Sequence, residues 1–305
     1  DKLQGEIEIG KKVLVPFGNR KIEGYVIGGV KEVDFETKSI IKVVNSFTFF
    51  NRELLSLAQW IAKYYQCYLV SALKAIIPSG NKKIKTKRLV KLAQNCKETK
   101  EVIANIKSRA PKQAAVLSYL VNNPNNLITT RLAEAVGTTS STIRTLADKG
   151  LVTYKQEEVR RIPYSNQKFN STTPLDPTED QLQAIEEITN NLMADEQATI
   201  LLKGVTGSGK TEVYLQVIDK ALNEEKETIV LVPEISLTPQ TISRFKSRFG
   251  NQVAVLHSQL STGERFDEWR RIKEGSAKIV VGARSAIFAP FENLGLIIID
   301  EEHET

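Results

Sequence analysis

The chain has 305 residues, of which 41% are hydrophobic and 26% charged, and its net charge is +6. This length exceeds the ~100–200 residues of a typical domain, so the sequence predicts two or three domains. With no apolar run of ~20 residues, no signal core and only two cysteines and two histidines, we expect a cytoplasmic protein without a membrane span or a Cys/His metal site. Because it opens on Asp1 and not on methionine, the start of the chain is expected to be trimmed.

The first third of the chain predicts a small β-rich domain with a covering helix. Short strand-forming runs at 12–17, 22–30 and 40–44 indicate a small antiparallel sheet or barrel. Apolar residues then recur at helical spacing over 51–67, which predicts a helix that covers the sheet with one face.

Four aromatic residues accompany this helix and have two interpretations: Trp60, Tyr64, Tyr65 and Tyr68. They form a platform on which nucleic-acid bases stack, or they belong to the hydrophobic core. Aromatic residues at helical spacing are more often core residues, and we favour that interpretation.

A basic segment follows at 81–110. It contains ten lysines and arginines against two glutamates, a balance of +8, so the remainder of the chain carries 6 − 8 = −2. This concentration of charge predicts a basic connector and favours a polyanionic partner, with nucleic acid as the first candidate. The alternative is a linker whose charges only keep it solvated.

Residues 111–159 predict a winged-helix domain. Helical patterns cover 111–122, 129–136 and 139–149, and a strand-forming run at 151–159 is suited to a β-wing. The third helix of this layout usually faces DNA. Because Arg144 is its only basic residue on the outer face, a winged helix that serves as a spacer or protein contact is the alternative.

From residue 171 onwards, strands and helices alternate regularly. Strands are predicted at 199–202, 228–232, 253–256, 278–281 and 296–300, with helices of about ten residues or more between most of them, which indicates a parallel sheet with helices on both faces. The predicted fold class is therefore multidomain: a β-rich domain with a basic connector at 1–105, a winged helix at 106–170 and an α/β P-loop lobe at 171–305.

The sequence GVTGSGKT at 204–211 fits the phosphate-binding pattern G-x-x-x-x-G-K-[ST] and lies between a predicted strand and a predicted helix. Its glycines let several backbone N–H groups point at one phosphate, and the helix N-terminus adds positive charge. Lys210 is expected to reach the β- and γ-phosphates, and the Thr211 hydroxyl to ligate Mg²⁺. The remaining members of the phosphate-binding set are Gly204, Val205, Thr206, Gly207, Ser208 and Gly209.

A second motif follows the apolar run 296–299. Asp300 is placed to hold Mg²⁺, and Glu301 to orient or deprotonate water, so hydrolysis is expected. The four residues 300–303, DEEH, form a helicase-type DExH box, in which His303 senses the γ-phosphate or only caps the segment. Gln181 is placed where an amide reads adenine, which favours ATP; the alternative is an ordinary exposed glutamine.

Five segments together resemble a known family: 201–214, 231–240, 256–258, 282–291 and the DEEH box. They are similar to the bacterial primosomal replication-restart helicases, the PriA family. The resemblance implies a 3′-DNA-end-binding domain, a winged helix and a first, RecA-like helicase lobe. It also implies an ATP- and Mg²⁺-dependent 3′-to-5′ DNA helicase that recognises stalled forks.

The same resemblance implies DNA contacts and partners. Asp1, Gly18 and Lys42 match the family's pocket for a 3′ end. The segments 233–240 and 282–287 resemble the family's DNA-contacting motifs, in which Arg284 matches a phosphate contact. The implied partners are forked and single-stranded DNA, the single-strand-binding protein, and primosome or helicase-loader proteins. The family continues with a second lobe and zinc sites, so the chain is expected to be a poorly active N-terminal fragment. The alternatives are a DNA-structure-binding module without motor activity, and a DNA-stimulated ATPase of restriction or remodelling type.

Overall fold

The computed structural model describes residues 3, 5–30, 32–45, 47–78, 86–123, 127–164, 167–194 and 197–302. Contacts divide the chain into two units. The first unit joins Asp1–Lys82 to Arg161–Thr305, and the second is Lys83–Arg160. The beginning and the end of the sequence therefore fold together, and the middle part is an insertion between them.

The first unit begins with a small antiparallel sheet. Strands β1 (Lys12–Phe17), β2 (Arg20–Tyr25) and β3 (Lys42–Val43) pair antiparallel in the order β2-β1-β3. The antiparallel sheet is as predicted, although β2 and β3 are shorter than expected. Helix α1 (Arg52–Tyr64) begins after Asn51, whose side chain accepts a hydrogen bond from the Leu54 N–H at 2.9 Å. A second helix, α2 (Leu69–Ile76), packs against α1 and was not part of the prediction.

The four aromatic residues on and after α1 do not lie in the core, so the favoured interpretation is wrong. They are between 55% and 83% exposed. The buried face of α1 is formed by Leu54, Leu55 and Ala58, and α2 covers that face with Ala72, Leu73 and Ile76. Because the aromatic residues lie outside this contact, they face solvent.

The second unit contains a three-stranded sheet and four helices among its described residues. Its elements are β4 (Thr86–Leu92), α3 (Cys96–Ile106), α4 (Pro111–Asn122), β5 (Leu127–Ile128), α5 (Thr129–Val136), α6 (Ser140–Asp148) and β6 (Val152–Glu158). The strands pair antiparallel in the order β5-β4-β6. Helices α4 and α5 have the predicted bounds, and α6 is shorter by one residue at each end.

The predicted basic connector is wrong over its described part, because 86–92 and 96–106 form β4 and α3. In β4, Leu89 and Val90 are buried while Lys87 and Lys91 lie nearer the surface. In α3, Asn95 caps the first turn by accepting from the Glu98 N–H at 2.9 Å. The lysines and arginines lie on the solvent-facing side of β4 and α3. Because they dominate the composition of this segment, the few apolar positions between them did not lead to a predicted strand or helix.

The remainder of the first unit is an α/β lobe. It comprises α7 (Glu179–Met193), α8 (Lys210–Asn223), β7 (Glu227–Leu231), α9 (Pro239–Phe249), β8 (Val253–Leu256), α10 (Thr262–Lys273), β9 (Ile279–Gly282) and β10 (Leu294–Ile299). The four strands are parallel and ordered β10-β7-β9-β8. Their core contains Ile218 of α8 and Phe245 of α9.

The strand predicted at 199–202 does not form. Residues 197–205 have no regular secondary structure, and Leu201 is 77% exposed. A strand requires a neighbour that satisfies its backbone hydrogen bonds. Among the described strands, β10 ends the sheet on one side and pairs only with β7, so residues 197–205 have no ladder partner.

Helix α10 connects the lobe to the N-terminal sheet and helices. Phe266 and Trp269 are buried in the same cluster as Phe49 and Leu55. The Trp269 ring stacks on Phe49 at a centroid distance of 5.7 Å and lies 5.7 Å from Phe47. One hydrophobic core is thus built from residues more than 200 positions apart in sequence. Among the described helices, none is both long and apolar enough to cross a membrane.

The chain has two tryptophans in opposite environments, which gives a matched test of this shared core. Trp269 is 3% exposed and Trp60 is 55% exposed. We expect Trp269→Ala to lower the free energy of unfolding by about 3–5 kcal/mol, because it removes a large buried ring. Trp60→Ala should change it by less than about 0.5 kcal/mol. Urea unfolding followed by circular dichroism measures both, and equal losses would contradict the packing described.

Candidate nucleotide-binding site

The P-loop lies directly before α8, and two of its glycines have a backbone that other residues adopt with strain. Gly207 and Gly209 have φ of +82° and +83°, in the left-handed region. The loop residues 204–208 are exposed, and α8 begins at Lys210. The loop therefore ends at a helix N-terminus, whose N–H groups and partial positive charge favour an anion.

The Lys210 side chain turns back into the loop. Its Nζ donates hydrogen bonds to the carbonyl oxygens of Gly204, at 2.6 Å, and Val205, at 3.2 Å. The ammonium is therefore held at the centre of the curled backbone by two neutral acceptors. A phosphate oxygen is a stronger partner for an ammonium than a carbonyl, because the hydrogen bond is then between opposite charges.

Gln181 contacts the P-loop from α7. Its Nε2 donates to the Ser208 carbonyl at 2.9 Å, and its Oε1 accepts from the Thr178 N–H at 3.0 Å as part of the capping box that opens the helix. A Cβ on Gly209 would come within 2.3 Å of Gln181 Nε2. The structure thus places this side chain against the phosphate loop, where its amide supports the backbone of the loop.

Asp300 directly follows β10, and its backbone N–H continues the pairing with β7 by donating to the Leu231 carbonyl at 2.9 Å. Its Oδ1 accepts from the Tyr214 hydroxyl at 3.3 Å. Burial, together with the charge of Asp300, raises the pKa of Tyr214 to about 12, so this hydroxyl stays protonated as a donor. Tyr214 lies on α8, one turn after Lys210, and this contact brings the carboxylate to the P-loop helix.

Glu301 is oriented by a segment that the sequence resemblance associates with DNA. Its Oε2 accepts from the Ser236 hydroxyl at 2.9 Å, and Ser236 lies in the turn between β7 and α9. The Glu301 backbone has φ of +52°, an uncommon value for a residue with a side chain. His303 lies outside the described residues, so its role stays a prediction.

Glu212, which the sequence reasoning did not single out, anchors the chain that leads into the lobe. Both of its carboxylate oxygens accept from Arg248 at 3.1 Å, and Oε1 also accepts from the Leu175 N–H at 3.1 Å. Burial opposes the charge, but hydrogen bonds from Gln216, Leu175 and Arg248 leave the pKa of Glu212 below its usual value. Because Arg248 lies 36 positions further along the chain, on α9, the sequence alone gives no signal for this ion pair.

The DNA-contact candidates occupy separate places. Arg284 is exposed at the start of a short 3₁₀ helix, Arg284–Phe288, that follows β9. Gly18, with φ of +58°, lies in the β1–β2 turn, and the exposed Lys42 pairs with Leu14 across β1 and β3. Gly18 and Lys42 therefore share one small sheet, whereas Asp1 lies outside the described residues.

Two family models match the chain. A model described as a 3'DNA-binding domain (3'BD) matches residues 1–78, and a model described as type III restriction enzyme, res subunit, matches residues 174–305. The replication restart protein PriA of Bacillus subtilis (strain 168) is 41% identical over 372 aligned positions that cover 100% of this chain. The chain belongs to the PriA family.

Other PriA proteins give the same result. The chain is 36% identical to the replication restart protein PriA of Chlamydia muridarum over 99% of its length, and 35% identical to that of Haemophilus influenzae over 98%. It spans 46% of the Bacillus PriA and 41% of each of the other two. The chain therefore corresponds to less than half the length of these PriA relatives.

Gly207 and Gly209 both have a left-handed backbone, but only Gly209 faces Gln181. Alanine substitutions at the two positions therefore distinguish the effect of backbone strain from the loss of the contact with Gln181. A Cβ on Gly207 would meet no atom within 4 Å, whereas one on Gly209 would displace the Gln181 amide. We expect Gly209→Ala to weaken nucleotide binding about 2- to 10-fold more than Gly207→Ala, the equivalent of one lost hydrogen bond. Titration with a fluorescent ATP analogue measures the difference. In a Gln181→Ala background the difference should vanish; if it persists, Gln181 does not support the loop.

Proposed function

We propose that this chain is the DNA-end-binding and nucleotide-binding part of an ATP-dependent 3′-to-5′ DNA helicase of replication restart, which recognises stalled forks. One observation carries the proposal. The segment similar to a 3′ DNA-binding domain and the lobe with the P-loop share one hydrophobic core, through Phe49 and Trp269. A DNA-end site and a nucleotide site on one unit are what a motor positioned at a fork requires.

In the nucleotide site, the loop 204–209 and the N-terminus of α8 bind the phosphates of ATP, and Lys210 exchanges its two carbonyl partners for β- and γ-phosphate oxygens. Gln181 keeps the bond from its Nε2 to the Ser208 carbonyl, and its Oε1 exchanges the Thr178 N–H for the amino group of adenine when it reads the base. Glu301 positions or deprotonates the attacking water, while Ser236 holds its carboxylate. His303, as the fourth residue of the DExH box, contacts the nucleotide in this proposal.

The residues suit Mg²⁺ because a hydroxyl and a carboxylate are hard oxygen ligands, which this ion prefers. Thr211 follows Lys210 in the first turn of α8, and Asp300 is fastened to the same helix by Tyr214. These two residues would hold the ion together with the phosphates. When bound, Mg²⁺ neutralises charge that develops on the phosphate oxygens.

For DNA, we propose that Asp1, Gly18 and Lys42 receive the 3′ end and that Arg284 binds a backbone phosphate. The exposure of Lys42 and Arg284 supports phosphate contacts, and Gly18 permits close backbone approach. We assign residues 106–170 to a winged helix, which α4, α5, α6 and β6 support, between a DNA-end region and a helicase lobe. The single-strand-binding protein and primosome proteins are the proposed protein partners.

Two other functions compete. A DNA-structure-binding module without motor activity of its own is consistent with the match to a 3'DNA-binding domain at 1–78. A DNA-stimulated ATPase of restriction or remodelling type is consistent with the res-subunit match at 174–305. The match at 1–78 favours the restart helicase, because a restriction ATPase has no need for a free 3′ end.

The motor assignment is tested with Lys210→Ala in the complete protein. Removing the ammonium should reduce unwinding of forked DNA by roughly a hundredfold or more, since charge stabilisation in the transition state is lost. Affinity for the fork without ATP should change less than about twofold, because the lysine binds phosphates of the nucleotide and not DNA. Lys220→Ala, an exposed lysine on the same helix, is the control. Unwinding that survives Lys210→Ala refutes a P-loop motor.

The end-binding assignment is tested with the 305-residue chain and DNA that ends in a 3′-hydroxyl or a 3′-phosphate. Fluorescence anisotropy should give weaker binding to the blocked end. Lys42→Ala should weaken binding about 3- to 10-fold, the loss of one phosphate contact with a net value near 1 kcal/mol. Lys38→Ala removes the same charge from an exposed position four residues away. If neither the block nor Lys42→Ala changes the affinity, the chain does not recognise a 3′ end.

A further inference from the structure

Tyr214 lies on the face of α8 that carries Thr211, the residue proposed to ligate Mg²⁺. The two residues are three positions apart, and side chains at this spacing are neighbours on one face of a helix. The Tyr214 ring packs against the hydrophobic core of the parallel sheet, which includes Val232 and Ile298. The core therefore fixes the ring, and the hydroxyl at the far end of the ring reaches Asp300.

The contact engages one of the two carboxylate oxygens of Asp300. The Tyr214 hydroxyl donates to Oδ1 at 3.3 Å, between residues 86 positions apart in sequence. The Asp300 backbone is held as well, since its N–H donates to the Leu231 carbonyl at 2.9 Å. Within the part of the chain that the structure describes, no hydrogen bond reaches Oδ2. The contact thus leaves Oδ2 for a second partner.

The direction of a carboxylate matters more for Mg²⁺ than for ions with flexible coordination, because Mg²⁺ requires a nearly ideal octahedron of oxygen ligands. A hydrogen bond to the oxygen that does not bind the metal fixes the orientation of the other oxygen. Loss of such a partner typically lowers metal affinity about 10- to 100-fold. A phenylalanine ring at position 214 would also pack on the core, but it could not donate this hydrogen bond.

We propose that Tyr214 is a positioning residue of the metal site: its hydroxyl holds Oδ1 of Asp300, so that Oδ2 is directed at the ion that Thr211 also ligates. The inference rests on the proposed nucleotide-binding function and names a residue that acts through Asp300, without touching the nucleotide. Because Tyr214 and Thr211 lie on one helix, the second ligand and the residue that orients the first keep a fixed relation. The hydroxyl determines the affinity for Mg²⁺, and not the affinity for nucleotide alone.

Magnesium-dependent binding of a fluorescent ADP analogue to the 305-residue chain tests this role. Tyr214→Phe keeps the ring and removes the hydroxyl. Its affinity in EDTA should stay within about twofold of wild type, because the P-loop binds the phosphates without this hydroxyl. The MgCl₂ concentration for half-maximal tightening should rise about tenfold, at the low end of the range because 3.3 Å is long for such a bond. Tyr119→Phe, which removes a hydroxyl beside the core of the second unit, should change neither quantity.

A double variant tests whether the effect passes through Asp300. Asp300→Ala removes the carboxylate and should itself raise the MgCl₂ requirement. In that background Tyr214→Phe should have no further effect, because the hydroxyl then has no carboxylate oxygen to hold. Two changes that act through one contact are not additive, so the double variant should match Asp300→Ala alone.

The outcomes separate this inference from the proposed function. If wild type binds no ADP analogue, or binds it equally in EDTA and MgCl₂, the proposed nucleotide site with its ion fails and the inference fails with it. If wild type binds more tightly in MgCl₂ and Tyr214→Phe has the same MgCl₂ requirement, the role of Tyr214 alone is refuted. Equal weakening in EDTA and in MgCl₂ also refutes it, since the substitution then disturbs α8 itself. A further effect in the Asp300→Ala background overturns the assignment of the hydroxyl to Asp300.

Discussion

The packing of α10 against the aromatic residues that precede α1 holds the first unit together. Trp269 stacks on Phe49, and the neighbouring Asp267 accepts the backbone N–H of Arg161 at 2.9 Å, where the chain returns from the inserted unit. On its other face, buried Glu268 accepts from the Val255 N–H of β8 at 2.9 Å and pairs with Arg271 at 2.6 Å. One helix thus fixes the N-terminal region, the re-entering chain and the parallel sheet relative to one another.

Elements whose signals are local could be predicted from sequence. Propensity and capping determine the bounds of several elements without reference to the rest of the chain. Pro111 marks the start of α4, Gly137 marks the end of α5, and β8 is a run of four apolar residues. The P-loop could also be predicted from local signals, because its glycines and the helix that follows them are adjacent in sequence. Its contact with Gln181 is different, because the sequence indicates a role for this residue but only the fold shows that its amide reaches Ser208.

What could not be predicted depends on partners distant in sequence. The predicted strand at 199–202 has a suitable composition, yet no described strand lies beside it, so its backbone has no partner for ladder hydrogen bonds. The converse holds for β4, whose lysine-rich sequence becomes a strand because β5 and β6 pair with it on both sides. Helical periodicity placed Tyr65 on the apolar face of α1, but the helix ends at Tyr64 and α2 covers a different patch. Secondary-structure propensity depends on the residue itself, whereas burial depends on the neighbours that the fold brings to that residue.

The hydrogen bond between Ser236 and Glu301 has a consequence for how a nucleotide site and a DNA site communicate. Ser236 belongs to the turn that the family resemblance associates with DNA contacts, and Glu301 is the residue proposed to prepare water. At 2.9 Å the hydroxyl restricts the carboxylate to one orientation, so a displacement of this turn alters the position of the Glu301 side chain. The same turn is fastened by Glu234 to Ser258, in the loop whose carbonyls Arg265 of α10 binds. A continuous set of polar contacts therefore joins Glu301 to the helix that carries the N-terminal region. Through these contacts the proposed DNA binding would influence the proposed hydrolysis.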